Sequence, residues 1–231
     1  MLSNNLRGLN LVAFSVVFFI YLILPAFIVY PIASKVHGLI NIPLLLPIIV
    51  YFSLLFYALL YTFQSFIFLK IIFNPKKKEG IFNINELNPA VLYYSLSNVI
   101  ITSIEKIFSV LIVPQAFYGN LIMKLFGKKC GKGSLVNPVK DPYLVSLGND
   151  SIIGFGAIIT GHEIVGKKIF LKGIDIGDRV TIGANAIISG GAVLEDDVIV
   201  GANSYVKKNA VLKKGKFYVG CPAKIKIKKV K

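Results

Sequence analysis

The sequence is poor in the residues that build disulfide frameworks and metal sites. Its 231 residues contain two cysteines, Cys130 and Cys221, and two histidines, His37 and His162. Two cysteines make neither a disulfide framework nor a metal-ligand set, and they suit a reducing compartment. A catalytic zinc site built from imidazoles needs about three of them, and His162 is the single histidine after residue 37. We therefore predict no metal.

Acidic residues are also scarce. Eleven Asp and Glu face 26 Lys and Arg, which gives a net charge of +15. This excess favours anionic partners, such as headgroups of the cytoplasmic leaflet, a phosphorylated cofactor or simple counterions. No helix-turn-helix, zinc-finger or aromatic RNA-binding signature accompanies the charge, so we do not expect nucleic acid as a partner.

Charge is missing altogether from two long stretches, Gly8–Ser34 and Val36–Leu69. Each is longer than the roughly 20 residues that cross a bilayer core, and the chain is 55% hydrophobic with a mean hydropathy of +0.71. The first stretch exceeds the roughly 7–15 residues of a signal-peptide core, so we predict two retained membrane helices. Lys76–Lys78 follow the second stretch and place its exit in the cytoplasm.

The segment from Leu87 to Phe126 has two charge-free stretches on either side of Glu105 and Lys106. Two more spans, a re-entrant pair or helices lying in the interface would all fit. Zero or two crossings leave the rest of the chain in the cytoplasm. We therefore predict an anchor with two transmembrane helices over 1–86, a membrane-associated helical segment over 87–127, and a third domain over 128–231.

The third domain has a period of six. Large apolar residues recur at Phe170, Ile176, Ile182, Ile188, Leu194, Val200, Val206 and Leu212, and a smaller residue stands four places after each, at Ile174, Val180, Ala186, Ala192, Val198, Ser204 and Ala210, with Lys216 as the exception. This period predicts a parallel β-helix, in which three hexads make one triangular coil. The same register continues upstream through Leu135, Leu147, Ile153 and Ile159, with Asp141 where an interior aliphatic residue is due.

One interruption breaks the period. Ile159 and Phe170 are eleven residues apart instead of twelve, and the residues between them include Thr160–Lys168. A loop that leaves a rigid solenoid is a usual place for function, because the scaffold fixes its ends while its tip stays accessible. This loop carries His162.

Two motifs resemble the hexapeptide-repeat acyltransferases, which include galactoside and maltose O-acetyltransferases. The first is Ile159-Thr160-Gly161-His162, followed after the loop by 176–184; the second is the closing turn Gly220-Cys221-Pro222-Ala223-Lys224. The resemblance covers about residues 130–228 and implies a left-handed β-helix, a homotrimer with its active sites between subunits, and transfer of an acyl group, commonly acetyl, from coenzyme A to a hydroxyl or amine. The membrane half is similar to membrane-embedded acyltransferase halves attached to some peptide-synthetase-like proteins.

Within that resemblance, His162 matches the catalytic histidine. Attack of a hydroxyl on a thioester requires removal of its proton, and imidazole suits that work near neutral pH. Either Glu163, beside His162, or Asp141, about one coil earlier, could orient the imidazole. A solvent-facing turn carboxylate is an equally good interpretation of each.

The resemblance also implies residues for acetyl-CoA. Ala184 and Ala202 match coil turns where backbone groups meet the pantetheine arm, and Lys207, Lys208 and Lys224 match positions near the nucleotide phosphates. Small residues at those turns leave room for a thin chain beside the backbone.

The sequence thus predicts a multi-pass membrane protein with a cytoplasmic β-helix that transfers an acyl group to a sugar or lipid-linked acceptor. The alternative is a non-catalytic trimeric β-helix that acts as a scaffold on membrane lipids, because stacked hexads also make a rigid spacer.

Overall fold

The computed structural model describes residues 45–72, 79–86, 88–137 and 139–225. The chain divides into two compact units, Met1–Asn74 with Ser103–Val113, and Pro75–Thr102 with Pro114–Lys231. The second unit therefore starts well before the predicted boundary at residue 128, because a strand and two helical segments that precede this boundary pack with the coils.

The first unit is built around helix α1 (Leu45–Ile67), which continues into a π-helical turn (Phe68–Ile72). Tyr51 Oη donates to the carbonyl of Leu111 at 3.1 Å, and Thr62 Oγ1 donates to its own helix at Ala58 O at 2.8 Å. Among the described residues, Ile48–Ile71 is the one helical stretch long and apolar enough to cross a membrane. It overlaps the second predicted span, whereas the first, Gly8–Ser34, lies outside the described residues.

Two helices follow, α2 (Pro89–Val110) and α3 (Gln115–Phe126). With 12 residues, α3 is about 18 Å long, which is too short for the roughly 30 Å of a bilayer core. It instead buries one face in the second unit, where Met123 joins the hydrophobic core of the coils and Gly119 fits directly against the backbone of Val136. One alternative for residues 87–126 was two further membrane spans, and α3 is too short to be one of them.

The coils that follow α3 form a parallel β-helix with three sheets. The first sheet contains β2 (Lys129–Cys130), β3 (Val145–Leu147), β8 (Ile174–Ile176), β11 (Val193–Leu194) and β14 (Val211–Leu212); the second contains β4 (Ile152–Ile153), β9 (Thr181–Ile182), β12 (Ile199–Val200), β15 (Phe217–Val219) and the antiparallel β16 (Lys224–Ile225); the third contains β5 (Ile158–Thr160), β10 (Ile187–Ser189) and β13 (Tyr205–Val206). The chain visits the three sheets in this order in every coil, as the period of six predicts.

The interior of the coils holds the predicted apolar series from Ile174 to Leu212, and each of its large residues is at most 4% exposed. Two residues of the predicted series lie elsewhere. Leu135 is 52% exposed because its neighbour Val136 takes the interior position, and Phe170 is part of a hairpin outside the coils. The exposed position of Lys216 agrees with its break in the sequence pattern.

The loop that interrupts the coils is a β-hairpin. Strands β6 (His162–Val165) and β7 (Lys168–Leu171) pair antiparallel, and β1 (Gly80–Asn83) adds a third strand on the other edge of β7. Glu79, just before β1, accepts a hydrogen bond from the backbone N–H of Gly173 at 3.0 Å. The hairpin that begins at His162 is therefore held by a strand about 90 residues earlier in the chain.

Three corners connect the three sheets, and each stacks from coil to coil. The charged corner comprises 148–151, 177–180, 195–198 and 213–216; the alanine corner comprises 154–157, 183–186 and 201–204; the histidine corner comprises 161, where the hairpin leaves, 190–192 and 207–210. Ion pairs between successive coils, such as Arg179 with Asp197 at 2.6 Å, link the charged corner.

Candidate active site

His162 lies at the histidine corner, where β5 ends and the hairpin begins. A Cβ atom at residue 161 would lie 2.6 Å from Leu144 Cδ1 and 2.9 Å from the backbone oxygen of Lys172, so the close packing just before His162 favours Gly161. The imidazole Nδ1 is 2.6 Å from Asp141 Oδ2, and the His162 side chain keeps 24% of its surface exposed. Because a carboxylate accepts at Nδ1, the neutral imidazole carries its proton there and leaves a lone pair on Nε2.

Asp141 is fixed by the fold around it. It precedes a 3₁₀ turn (Pro142–Leu144), and its side chain is 1% exposed. Besides the imidazole, Oδ2 accepts from the backbone N–H of Gly161 at 2.9 Å and from Thr160 Oγ1 at 3.3 Å. Asp141 Oδ1 has no hydrogen-bond partner among the described residues. The break in the interior pattern at Asp141 thus marks the carboxylate that contacts His162, although its catalytic role stays a prediction.

The other predicted carboxylate faces elsewhere. Glu163 Oε2 lies 2.8 Å from Lys208 Nζ, and both side chains are well exposed. The Lys208 ammonium also lies 4.0 Å from the centre of the Phe170 ring, within the range of a cation–π interaction. The structure therefore places Asp141, and not Glu163, against the imidazole, and the Lys208 ammonium contacts side chains of the hairpin.

The residues predicted to bind the cofactor fall on different parts of the coils. Ala184 and Ala202 stack at the alanine corner, where the backbone N–H of Asn203 donates to Ala184 O at 2.9 Å. Lys207 lies at the histidine corner, and exposed Lys224 lies on β16 at the end of the second sheet. The strands of the third sheet run from the alanine corner to the histidine corner, so these two corners of one coil are about 15 Å apart. One subunit does not bring Ala184 and His162 together.

Sequence reasoning missed the aromatic residues of α2. The Tyr94 ring lies 4.8 Å from the imidazole of His162, tilted by 56°, and Tyr93 packs edge-on against Tyr143 with centres 5.0 Å apart. Burial and the nearby carboxylate of Asp141 raise the pKa of Tyr143, which therefore stays a neutral phenol. No periodic signal marks these tyrosines, although their place near the start of α2 is visible in the sequence.

Metal ligands do not gather in the described part of the chain. No group of three or more His, Cys, Asp or Glu side chains there could hold a metal ion.

Comparison with known proteins gives one family match. Residues 173–208 match the model described as "Hexapeptide repeat of succinyl-transferase", and no curated protein matches the chain. Similar solved structures include a hexapeptide-repeat acetyltransferase from Vibrio cholerae (16% identity, 58% of this chain and 91% of that one, TM-score 0.45) and a maltose O-acetyltransferase from Clostridium difficile 630 (16%, 64% and 91%, TM-score 0.46).

A galactoside acetyltransferase in complex with coenzyme A is also similar, at 24% identity over 39% of this chain and 48% of that one, with a TM-score of 0.35. These superpositions are partial, so the fold rests on the strand pairing described above. By that pairing and by sequence, residues 173–208 are hexapeptide repeats.

Proposed function

We propose that this chain is a membrane-bound, acyl-CoA-dependent acyltransferase, and that it transfers an acetyl group to a hydroxyl or amine of a sugar or lipid-linked acceptor. The observation that carries the proposal is the 2.6 Å contact between His162 Nδ1 and Asp141 Oδ2 at a corner of a hexapeptide β-helix. A buried carboxylate that fixes a partly exposed imidazole is the arrangement of an oriented general base.

The chemistry follows from this arrangement. With its proton held on Nδ1 by Asp141, His162 offers Nε2 to the acceptor. The acceptor hydroxyl adds to the thioester carbonyl while Nε2 takes its proton. The tetrahedral intermediate then expels the coenzyme A thiolate, which recovers the proton from the imidazolium. The products are an acyl ester and free coenzyme A, and no other reactant is needed.

The split between Ala184 and His162 supports a trimer of left-handed β-helices. A second copy whose alanine corner faces the histidine corner of the first would bring both parts of the site together. Exposed apolar side chains on the outer face of the second sheet, Ile152 at 44% and Ile199 at 45%, are suited to cover by such a copy. Acetyl-CoA would then lie between subunits, with its pantetheine arm along Ala184 and Ala202 and its phosphates near Lys224.

The helix Ile48–Ile71 supports the membrane part of the proposal, and Lys76–Lys78 after it support a cytoplasmic β-helix. Exposed Cys221 offers a test in a Cys130→Ser background. A membrane-impermeant maleimide should label Cys221 only after the cells are lysed, whereas a Lys35→Cys variant that lacks both native cysteines should be labelled in intact cells. Labelling of Cys221 in intact cells would contradict the cytoplasmic assignment.

The function is tested by titrating the detergent-purified protein with acetyl-CoA in a calorimeter and then measuring thiol release with candidate acceptors. We expect His162→Ala to bind acetyl-CoA normally but to lose roughly 10²–10⁴-fold in transfer rate, the usual contribution of a general base. Asp141→Asn should lose rate in the same direction. His37→Ala removes the other histidine and serves as the matched control.

Two results would overturn the proposal. Full transfer activity in His162→Ala would exclude the general-base mechanism. If no coenzyme A thioester binds to the wild-type protein, the enzyme proposal fails and the scaffold alternative takes its place.

A further inference from the structure

Helix α2 covers one side of the Asp141–His162 pair. Tyr94 packs on the imidazole with ring centres 4.8 Å apart, and the adjacent Tyr93 packs on Tyr143, two residues after Asp141. The first half of α2 thus contacts both the imidazole and the turn that carries its carboxylate. The hexapeptide repeats alone would not supply these contacts, because α2 lies in the chain before residue 128.

The contacts of His162 cover part of its ring and leave part of it exposed. Asp141 occupies Nδ1, and Tyr94 covers part of the ring. The His162 side chain is 24% exposed. Because the Tyr94 ring centre is 4.8 Å from the imidazole centre, an acceptor bound at Nε2 lies close to the Tyr94 side chain.

Tyr94 and Asn98 lie one turn apart on α2 and form a polar pair. Asn98 Nδ2 donates to Tyr94 Oη at 3.3 Å. Burial, with a smaller contribution from the Asp141 carboxylate, raises the pKa of Tyr94, so its hydroxyl keeps a proton. Among the described residues, neither the Tyr94 O–H proton nor Asn98 Oδ1 has a further partner. The pair thus offers one donor and one acceptor, the two functions that a hydroxyl group can satisfy together.

We propose that Tyr94 positions the imidazole of His162 through its ring, and that Tyr94 Oη and Asn98 Oδ1 bind a second hydroxyl of a polyol acceptor, next to the hydroxyl that reacts. The acceptor class is then a vicinal diol, as in a sugar or a glycerol-based headgroup. This inference rests on the proposed acyltransferase function, and it assigns the acceptor side of the same site.

The two roles of Tyr94 are separable by substitution. Tyr94→Phe keeps the ring and removes the hydroxyl, so it should raise the KM for a diol and leave kcat near the wild-type value. Asn98→Ala should act in the same way, and Tyr94→Ala should lower kcat as well. Ser95→Ala is the matched control, because the exposed Ser95 hydroxyl donates to its own helix at Val91 O.

The test uses full-length protein in detergent and follows thiol release from acetyl-CoA. The two acceptors, 1,2-propanediol and 1-propanol, differ only in the neighbouring hydroxyl. We expect the wild-type protein and Ser95→Ala to prefer the diol by about thirtyfold in kcat/KM, because the second hydroxyl makes two neutral hydrogen bonds at about fivefold each. Tyr94→Phe and Asn98→Ala each remove one of these bonds and should lower the preference to about fivefold. A wild-type protein that is indifferent to the second hydroxyl, or a Tyr94→Phe variant that keeps the full preference, would overturn the diol subsite.

A second measurement needs no turnover. In a His37→Gln background, isotope labelling of histidine gives signals from His162 alone. We expect Tyr94→Ala to shift its ring signals, and Tyr94→Phe and Ser95→Ala to change them much less. Unchanged signals in Tyr94→Ala would overturn the positioning role. If the wild-type protein releases no thiol with any acceptor, the acyltransferase proposal fails, while this measurement still decides whether Tyr94 holds His162.

Discussion

Lys208 and Glu163 form an ion pair across the histidine corner, with Nζ and Oε2 2.8 Å apart. The pair joins the first strand of the hairpin to a coil two turns further along the chain. Because Lys208 also lies over the Phe170 ring, this one ammonium contacts both strands of the hairpin. Glu163, next to His162 in sequence, thus pairs with Lys208 and not with the imidazole. Asp141, 21 residues before His162, is the carboxylate that contacts the imidazole.

We therefore expect the two carboxylates to differ in their effect on activity. Glu163→Gln should keep kcat/KM within about fivefold of the wild-type value, since an exposed ion pair contributes about 1 kcal/mol or less. Asp141→Asn removes the acceptor at Nδ1 and should cost much more. Steady-state kinetics of both variants checks this expectation, and an equal loss in the two variants would contradict it.

Lys224 and Lys208 should also differ in cofactor binding. Lys224 is exposed, whereas Lys208 is held by Glu163 and Phe170. Lys224→Ala should weaken acetyl-CoA binding by about fivefold, and the loss should shrink at high salt because exposed charges are screened. Lys208→Met should change the affinity less. Calorimetric titration at two salt concentrations measures both effects, and a larger loss in Lys208→Met would show that this lysine binds phosphate after all.

Glu79 should stabilise the hairpin through β1. Its carboxylate accepts from Gly173 N at 3.0 Å and lies 3.7 Å from Lys128 Nζ. Glu79→Ala removes both contacts, and because the side chain is half exposed we expect a cost of about 1 kcal/mol. Amide exchange in β7 should become about fivefold faster, which hydrogen-exchange mass spectrometry measures. Glu86→Ala, which removes an exposed side-chain contact to Asn83, is the control, and equal exchange in the two variants would contradict the role of Glu79.

Cys130 should need a raised pH to react with iodoacetamide. Partial burial raises the pKa of the Cys130 thiol, although the nearby charge of Lys124 opposes this rise. A raised pKa means less thiolate at a given pH, so alkylation of Cys130 should keep accelerating at a pH above the ordinary thiol range. Rates in a Cys221→Ser variant between pH 7 and 10 measure this profile. Adding Lys124→Gln should move it to still higher pH, and a shift to lower pH would contradict the assignment.

The repeat was the part of the fold that sequence reasoning could predict well. A period of six fixes which side chains point inward, and Ile182, Ile188 and Val200 are buried as expected. The pattern fails in the first coil and at the hairpin that interrupts the coils. Phe170 belongs to the hairpin, and Leu135 gives way to Val136.

The site was predictable in part, for a similar reason. Asp141 interrupts a strict apolar pattern, and a buried carboxylate persists only where donors surround it, so the interruption pointed to a contact. Tyr94 and β1 lie outside the repeats and cause no break in the sequence pattern. Their contacts with His162 and β7 join segments about 70 to 90 residues apart in the chain, and only the tertiary structure brings them together.

The strand order of the hairpin sheet bears on how this protein could be divided or recombined. Because β1 precedes α2 in the chain and pairs with β7, a fragment beginning at the first coil would lose an edge of the sheet that holds His162, together with Tyr94. A fusion junction placed before Glu79 would transfer the site intact, whereas one placed at the start of the repeats would transfer the solenoid without the supports of its histidine.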